Sequence, residues 1–517
     1  MTLFAFHAFG VRNSNRHPRF EELGLQIVEK CKGLPLAVKT VAGLLRTKVN
    51  PCDWEDVLNN KIWNLSEGRN DILPALKLSY LHLPSHLRRC FAYCAIFPKD
   101  YEIKHDELIH WWSAEGLLEG KGGKNCWNLG LNYFNELESR SLFQKSSSDG
   151  SRFLMHDLVN DLAKLVAGAT HYGLGKFEFE GDQNNASLVH HASFIPSRYI
   201  VLERFKIYHQ MKRLRSFISL EKHSHRWDRS FLSQKVICDL LSKLKYLRVL
   251  SLSHYNISEA PDFIGDLRHL RHLNLSYTNV ARLPKSIVGL YNIETLMLRG
   301  CESLIELPED MEKLINIRFL DITDTPKLRA MPLYIANLVG LEMLSKFIVG
   351  TETELRLKEL KNLKNLREEL CIFDLHKVQD AGDAKDVDLL AKEGICRLTL
   401  RWSEDFENSQ NEELEAKILD FLRPHQNIEN LVISYYGGIE FTSWLGNPSH
   451  VHIVHLHLHK CRRAKALSSL GQLSLLKELH IEGLDAIRRI GFEFYGPKSP
   501  FPSLTTLEFR NMPLWED

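Results

Sequence analysis

The sequence predicts a multidomain chain, α in its first part and α/β in its second: a helical subdomain, a winged-helix subdomain, then a solenoid of stacked coils. Three observations lead there. Leucines recur at a fixed period through the second half, prolines punctuate amphipathic helices in the first, and a short hairpin signal between them runs into a further helix. With 517 residues, 44% of them hydrophobic, the chain can fill about three cores.

From Phe20 to Leu45 an amphipathic helix, a KGLPLA interruption and a second helix follow one another. Pro35 breaks the pattern because it lacks an NH and pushes Leu34 out of helical geometry. The stretch ILPALKLSYLHLPSHLRRCFAYCAIFPKDYEIKHDELIHWWSAEGLL reads as three helices punctuated by Pro84 and Pro98. SLFQKSSSDGSRFLMHDL reads as a hairpin turning at Ser147 to Gly150, and helices followed by a hairpin that returns into a helix suggest a winged helix. Leu158, Leu162, Leu165 and Val166 recur at helical spacing, so a helix starts near Asp157, whose carboxylate is expected to cap the first turn. His156 then stands at the mouth of a helix N-terminus, where unpaired NH groups and the helix dipole favour an anion such as phosphate. The plainer reading of the pair is an N-cap Asp preceded by an incidental surface His.

The second half carries the repeat. Leu247, Leu250 and Leu252 share one spacing with Leu270, Leu273 and Leu275, with Ile293, Leu296 and Leu298, and with Ile317, Leu320 and Ile322, at intervals of 23, 23 and 24 residues. Each unit is followed by a proline (Pro261, Pro284, Pro308, Pro332) and then by apolar residues three and six positions on. This is leucine-rich repeat grammar: a strand, a turn, and a loosely helical return that packs on the next coil. One unit alone cannot bury its apolar side, so the coils stack. The pattern persists at Ile395, Ile428, Ile453, Leu476 and Leu504, and blurs between about 345 and 394 into a charged stretch read as an insertion or loop-rich coil. No capping unit is visible after NMPLWED, so the solenoid reads as cut off there. The expected boundaries are a helical subdomain at 1–70, a winged helix at 71–170, a polar connector at 171–240 and the solenoid at 241–517.

Composition narrows the function classes. Sixty-six Lys and Arg against 65 Asp and Glu give no global attraction to nucleic acid or anionic membrane. Ten Cys without regular pairing suggest a reducing compartment rather than a disulfide framework, and no segment reaches the length of a membrane span. The expected location is therefore intracellular; sequons at Asn256 and Asn274 carry little weight without a secretory route. The helix DELIHWWSAEGLL is acidic and aromatic, unlike a DNA-reading helix. No nucleophile elbow, HExxH or CxxC occurs, and the nearest run to a Walker A loop, EGKGGKN, lacks its spacing and terminal Ser or Thr. Cys90 and Cys94 lie one helical turn apart among apolar residues and read as core rather than metal ligands. His455, His457 and His459 alternate onto the open strand face, and with no Cys or carboxylate to complete a set, a solvated or ligand-contacting face is expected there in place of a metal.

CKGLPLAVKTVAGLLR, LKLSYLHLPSHLRRCFAYCAIFPKDYEI and MHDLVNDLA, in that order and followed by leucine-rich repeats, resemble the plant intracellular immune receptors of the nucleotide-binding, leucine-rich-repeat class. The fit is best to the coiled-coil subclass, near the RPP13-like proteins, and covers nearly the whole chain. The resemblance implies that the Gly33-Leu34-Pro35-Leu36 segment belongs to the helical NB-ARC subdomain against which the adenine of ADP packs, with Pro35 the matching residue. It implies that Met155, His156 and Asp157 form the motif that closes the winged helix over the nucleotide, His156 facing the β-phosphate of ADP in the resting state and Asp157 bracing the helix.

The family's coiled coil, P-loop and Asp-rich strand are expected upstream of Met1, LFAFHAFG resembling the segment just after the nucleotide-binding subdomain. ADP affinity of this chain is then expected to be weak or absent, and hydrolysis is not expected. The resemblance further implies a cytoplasmic, non-enzymatic ADP/ATP switch that assembles on activation. Its solenoid would detect a pathogen effector or a guarded host protein, with Asn274, Ser276, Met297, Arg299, Asp321, Thr323, Arg401, His457, His459, His480 and Glu482 as candidate contact residues on exposed strand positions. The alternative is a binding scaffold, decoy or pseudogene product without nucleotide chemistry, in which His156→Ala changes nothing. An intact ATPase and a secreted repeat receptor fit less well, for want of a P-loop and of a signal segment.

Overall fold

The computed structural model describes residues 1–9, 18–64, 73–118, 126–147, 150–174, 183–195, 205–220, 230–351, 355–405, 411–496 and 500–516. They fall into two compact units: residues 1–224 with 242–251, and residues 225–241 with 252–517. The EGKGGKN run and residues 148 and 149 of the expected hairpin turn lie outside the described residues.

The first unit opens with α1 (Thr2–Phe9), α2 (Pro18–Lys30), α3 (Pro35–Leu45), α4 (Pro51–Leu58) and α5 (Pro74–Leu81). Prolines begin α3, α4 and α5, where the first turn has no use for the missing NH and the fixed φ is already helical. Phe4, Ile27, Val41, Leu45, Trp54, Val57 and Leu78 from these helices form one core. A second core, built on Phe91, Trp112, Phe134, Phe143, Phe153 and Leu162, joins α6 (Ser85–Tyr93), α7 (His105–Glu115), α8 (Cys126–Ser139) and α9 (Asp157–Ala167). Phe134 stacks on Phe143 at 4.9 Å and meets Phe153 edge-on at 4.7 Å, which seats the hairpin on the helices. That hairpin is β2 (Gln144–Lys145) and β3 (Arg152–Leu154), antiparallel, with β1 (Ile103–Lys104) on the other side of β3. Cys90 and Cys94 are buried in this core, and all ten cysteines are free thiols.

The stretch expected to be a polar connector is different in the structure. It carries β4 (His171–Leu174), β5 (His191–Phe194) and β6 (Ser216–Ser219), which pair in parallel with one another and with β7 (Val249–Ser251). These are coils of unequal length, starting at residues 171, 191, 216 and 249, so no fixed period announces them.

The second unit contains the regular repeats: β8 (His272–Asn274), β9 (Thr295–Met297), β10 (Phe319–Asp321) and β11 (Met343–Leu344) in one parallel ladder. Another runs through β12 (Lys346–Ile348), β13 (Glu368–Phe373), β14 (Ile395–Arg401), β15 (Asn430–Ser434), β16 (His455–His459), β17 (Glu478–Glu482) and β18 (Thr506–Arg510). The leucines of the repeat from Leu247 to Leu479 are buried, each contributing roughly 2 kcal/mol of apolar burial. The blurred stretch from 345 to 394 is not an insertion. It forms β12 and β13 with a return through residues 357–362, and the pattern is lost because Leu366 and Leu370 stand four residues apart, one more than the repeat spacing.

After β7, β8, β9 and β10 the chain turns through a left-handed residue: His254, Tyr277, Gly300 and Asp324 have φ of 62°, 59°, 67° and 54°. Only at Gly300 is a side chain sterically shut out, since a Cβ there would sit 2.4 Å from the Tyr277 ring. Gly300→Ala is expected to lower stability by about 1–2 kcal/mol, seen as a lower midpoint in urea denaturation. The position buried at Leu431, Leu456 and Leu479 is 45% exposed at Leu507 on β18, on which no coil stacks among the described residues. No helix of the described residues is long and apolar enough to cross a membrane.

Candidate functional site

The Gly-Leu-Pro-Leu segment is the turn between α2 and α3. Lys32 and Gly33 take positive φ (51° and 75°), Leu34 is extended and donates its NH to the Cys31 carbonyl at 3.0 Å, and Pro35 begins the helix. Gly33, Leu34 and Pro35 are exposed, whereas Leu36 enters the same core as Met155. The two motifs, over a hundred residues apart in sequence, therefore rest on one hydrophobic core in the first unit.

The helix start differs from expectation in its cap. His156 is the N-cap residue of α9: its Nδ1 accepts the NH of Leu158 at 3.2 Å, and its carbonyl accepts from Val159 and Asn160. Asp157 is not the cap; it lies one residue too late, already inside the first turn, where its charge complements the positive end of the helix dipole. With Nδ1 accepting, the neutral ring carries its proton on Nε2, and both His156 and Asp157 are exposed. His156→Ala is expected to cost about 1 kcal/mol through loss of the cap, and His156→Asn, which keeps a capping oxygen, to cost a few tenths; thermal denaturation distinguishes them. Behind the motif, the fully buried Asn160 donates through Nδ2 to the Phe97 carbonyl at 2.9 Å, tying α9 to the segment after α6. Nothing in the local pattern marks that role.

A buried polar network was likewise not legible in the sequence. Glu115, the last residue of α7, accepts a hydrogen bond from Ser216 Oγ at 2.5 Å. Its carboxylate lies 3.6 Å from His191 Nδ1 and 3.9 Å from Arg248 Nη1, and Arg248 also donates to the Glu115 carbonyl at 2.9 Å. The Tyr93 hydroxyl and Ser216 Oγ share a 3.0 Å hydrogen bond. Burial alone raises the pKa of Glu115, but His191, Ser216 and Arg248 together outweigh it and hold the carboxyl below its ordinary range. The network binds the winged-helix core to β5, β6 and the segment before β7 through charge and hydrogen bonds.

The expected recognition positions divide. Arg299 is exposed, Met297, Arg401, His457, His459, His480 and Glu482 are partly exposed on the strands, and Thr323 is partly exposed in the turn after β10. Asn274, Ser276 and Asp321 are not exposed strand positions; all are buried. Asn274 Oδ1 accepts the Ser276 NH and Asp321 Oδ1 the Thr323 NH, each at 2.9 Å, so these side chains fold back to secure the turn after their strand. Thr323 and Arg401 line a groove of about 810 Å³ whose wall mixes Asp324, Arg329, Glu369 and Phe373. The Arg401 guanidinium lies over the Phe373 and Tyr435 rings at 5.4 and 5.0 Å, which holds the charge at the surface of the groove. The alternation of His455, His457 and His459 is as read, with Leu456 and Leu458 buried between them. The expectation that no carboxylate completes a set there is overturned: Glu482, from β17, pairs in register with His459.

Helices closed by a hairpin and continued by parallel leucine-rich coils define the class, and the comparisons agree with it. Residues 96–163 match the disease resistance protein winged helix domain, and residues 357–484 match the R13L1/DRL21 leucine-rich repeats. Close homologues of the chain are plant disease resistance proteins of the RPP13-like and RGA type. It is 40% identical to RPP13-like protein 1 of Arabidopsis thaliana across 100% of its own length and 50% of that relative. It is 35% identical to RGA4 of Solanum bulbocastanum over 93% of itself and 45% of the relative, and 33% identical to disease resistance protein RGA2 of the same plant over 99% and 49%. The chain spans about half the length of these relatives.

Proposed function

We propose that this chain is the switch-and-sensing half of an intracellular plant immune receptor. The solenoid binds a pathogen effector or a host protein that the effector modifies. The helix start at His156 holds the resting state by contacting the β-phosphate of ADP, Pro35 packs near the adenine, and ATP replaces ADP on activation, with assembly following. The receptor works in the cytoplasm and turns over no substrate; nucleotide affinity of residues 1–517 alone is weak, since most phosphate contacts are expected elsewhere. The observation that carries the reading is the N-cap imidazole of His156: its Nδ1 is committed to the helix, which leaves an exposed Nε2–H donor at the positive end of a helix dipole. Such a donor meets a phosphate oxygen without rearranging the helix.

The test exchanges residues 1–517 for the matching half of RPP13-like protein 1 and measures the ADP retained by the purified chimaera. His156→Asn preserves a cap but withdraws the imidazole donor. It is expected to weaken ADP retention by about tenfold or more, the worth of a hydrogen bond to a charged group, and to raise cell death in leaves without an effector. Retention equal to that of the parent chimaera would sink the reading and favour a nucleotide-free scaffold.

A further inference from the structure

The open face of β16, β17 and β18 carries a lattice of imidazoles and carboxylates. Strand register places His457 opposite His480, His459 opposite Glu482, and His480 opposite Glu508. Most of these groups pair off: His455 Nδ1 lies 3.0 Å from Glu478 Oε2, and His480 Nδ1 lies 2.7 Å from Glu508 Oε2. Three do not resolve into a simple pair. One ligand atom each from His457, His459 and Glu482 lie within 4.8 Å of one another, the single such grouping of three or more among the described residues. His459 Nδ1 is shielded from solvent and stands 3.3 Å from Glu482 Oε2 without the alignment of a hydrogen bond.

We infer that His457, His459 and Glu482 form a binding site for a divalent transition metal ion, zinc being the best fit, on the open strand face of the solenoid. Two imidazoles and one carboxylate are a donor set that zinc takes, leaving a fourth position for water or an incoming ligand. The spacing has a structural basis. Residues two apart on a strand project on one side, and the parallel neighbour in register brings the carboxylate beside the second imidazole. The carboxylate is also oriented: Asn511 Nδ2 donates to Glu482 Oε1 at 3.1 Å, which turns Oε2 toward His459. Room exists above the site, in a cavity of about 270 Å³ lined by His457, His480, Glu482, Glu508 and Arg510. The open coordination position would face into that cavity, where a carboxylate or phosphate of a bound partner can complete the metal and meet Arg510.

The test is zinc binding by the purified 517-residue chain, with the metal alone as probe, followed by competition against a chromophoric chelator at pH 7.5. Ten thiols can bind zinc nonspecifically, so the readout is the difference between variants. The parent is expected to bind one more zinc ion at micromolar or lower Kd than a His457→Ala, His459→Ala double variant, and zinc is expected to raise the Tm of the parent only. Glu482→Gln, which preserves shape, is expected to weaken that site at least tenfold, and His425→Ala, on the strand-free return, to leave it unchanged. Equal zinc stoichiometry in the parent and the double variant would overturn the assignment. Loss of binding in both Glu482→Gln and His425→Ala would overturn it as well, by showing that the response does not belong to this cluster.

Discussion

Gly43→Val is expected to destabilise the protein by roughly 3 kcal/mol, although Gly43 lies inside α3, where helix propensity alone favours almost any other residue. The reason is backbone crowding. A Cβ at Gly43 would sit 2.7 Å from the Ser139 carbonyl oxygen and 2.9 Å from the Arg140 Cα, neither of which can swing away as a side-chain tip does. α3 and the end of α8 meet at this point, and Arg140 is itself fixed by a hydrogen bond to the His82 carbonyl at 3.3 Å. Even alanine must push the two segments apart, so the sign of Gly43→Ala opposes the gain of about 1 kcal/mol expected from propensity. Gly33→Ala makes the contrast: nothing lies within 4 Å of its added Cβ, and only its φ of 75° is strained, so about 1 kcal/mol is expected there. Chemical denaturation of the three variants checks the order. A stabilised Gly43→Ala would show that the close approach is not held in solution.

Glu115→Ala is expected to cost about 3 kcal/mol, because it leaves His191 and Arg248 without their buried carboxylate and strips Ser216 Oγ of its acceptor. Glu115→Gln retains an acceptor for Ser216 and is expected to cost less. The pH dependence follows from the direction of the shift. The carboxyl has a lower pKa in the fold than in the unfolded chain, so its contribution is fully present above the unfolded value of about 4.3 and is lost as pH falls through the folded one. Denaturation midpoints between about pH 6 and pH 3 are therefore expected to fall more steeply in the parent than in Glu115→Gln. Parallel slopes would show that Glu115 titrates normally in the fold.

Much of the architecture is legible in the residues alone, and the reason is locality. The L-x-x-L-x-L spacing with its trailing proline, the helix-opening Pro35, and the apolar rhythm of α9 are each carried by contiguous residues whose backbone preferences and burial agree. The family motifs are local in the same sense. Where the rhythm is interrupted by one residue, as between Leu366 and Leu370, the coil survives while its signature vanishes. Where return lengths vary, as among β4, β5, β6 and β7, the strands are real but aperiodic.

The candidate site was only partly readable. His156 was visible at a helix mouth, but whether its ring or the Asp157 carboxylate capped the helix depended on a one-residue offset in backbone geometry. The inward turn of Asn274 and Asp321 toward their own chain was likewise a matter of local geometry, their side chains accepting the Ser276 and Thr323 NH groups. By itself the sequence determined the order of modules, the period of the coils and the positions of the two motifs, because short-range propensity and hydrophobic periodicity fix those. Tertiary structure alone decided that Glu115 would meet His191, Ser216 and Arg248, and that Glu482 would join His457 and His459. Those groups are brought together by strand register and coil stacking, which set distances between residues far apart in the chain and leave no mark on the residues in between.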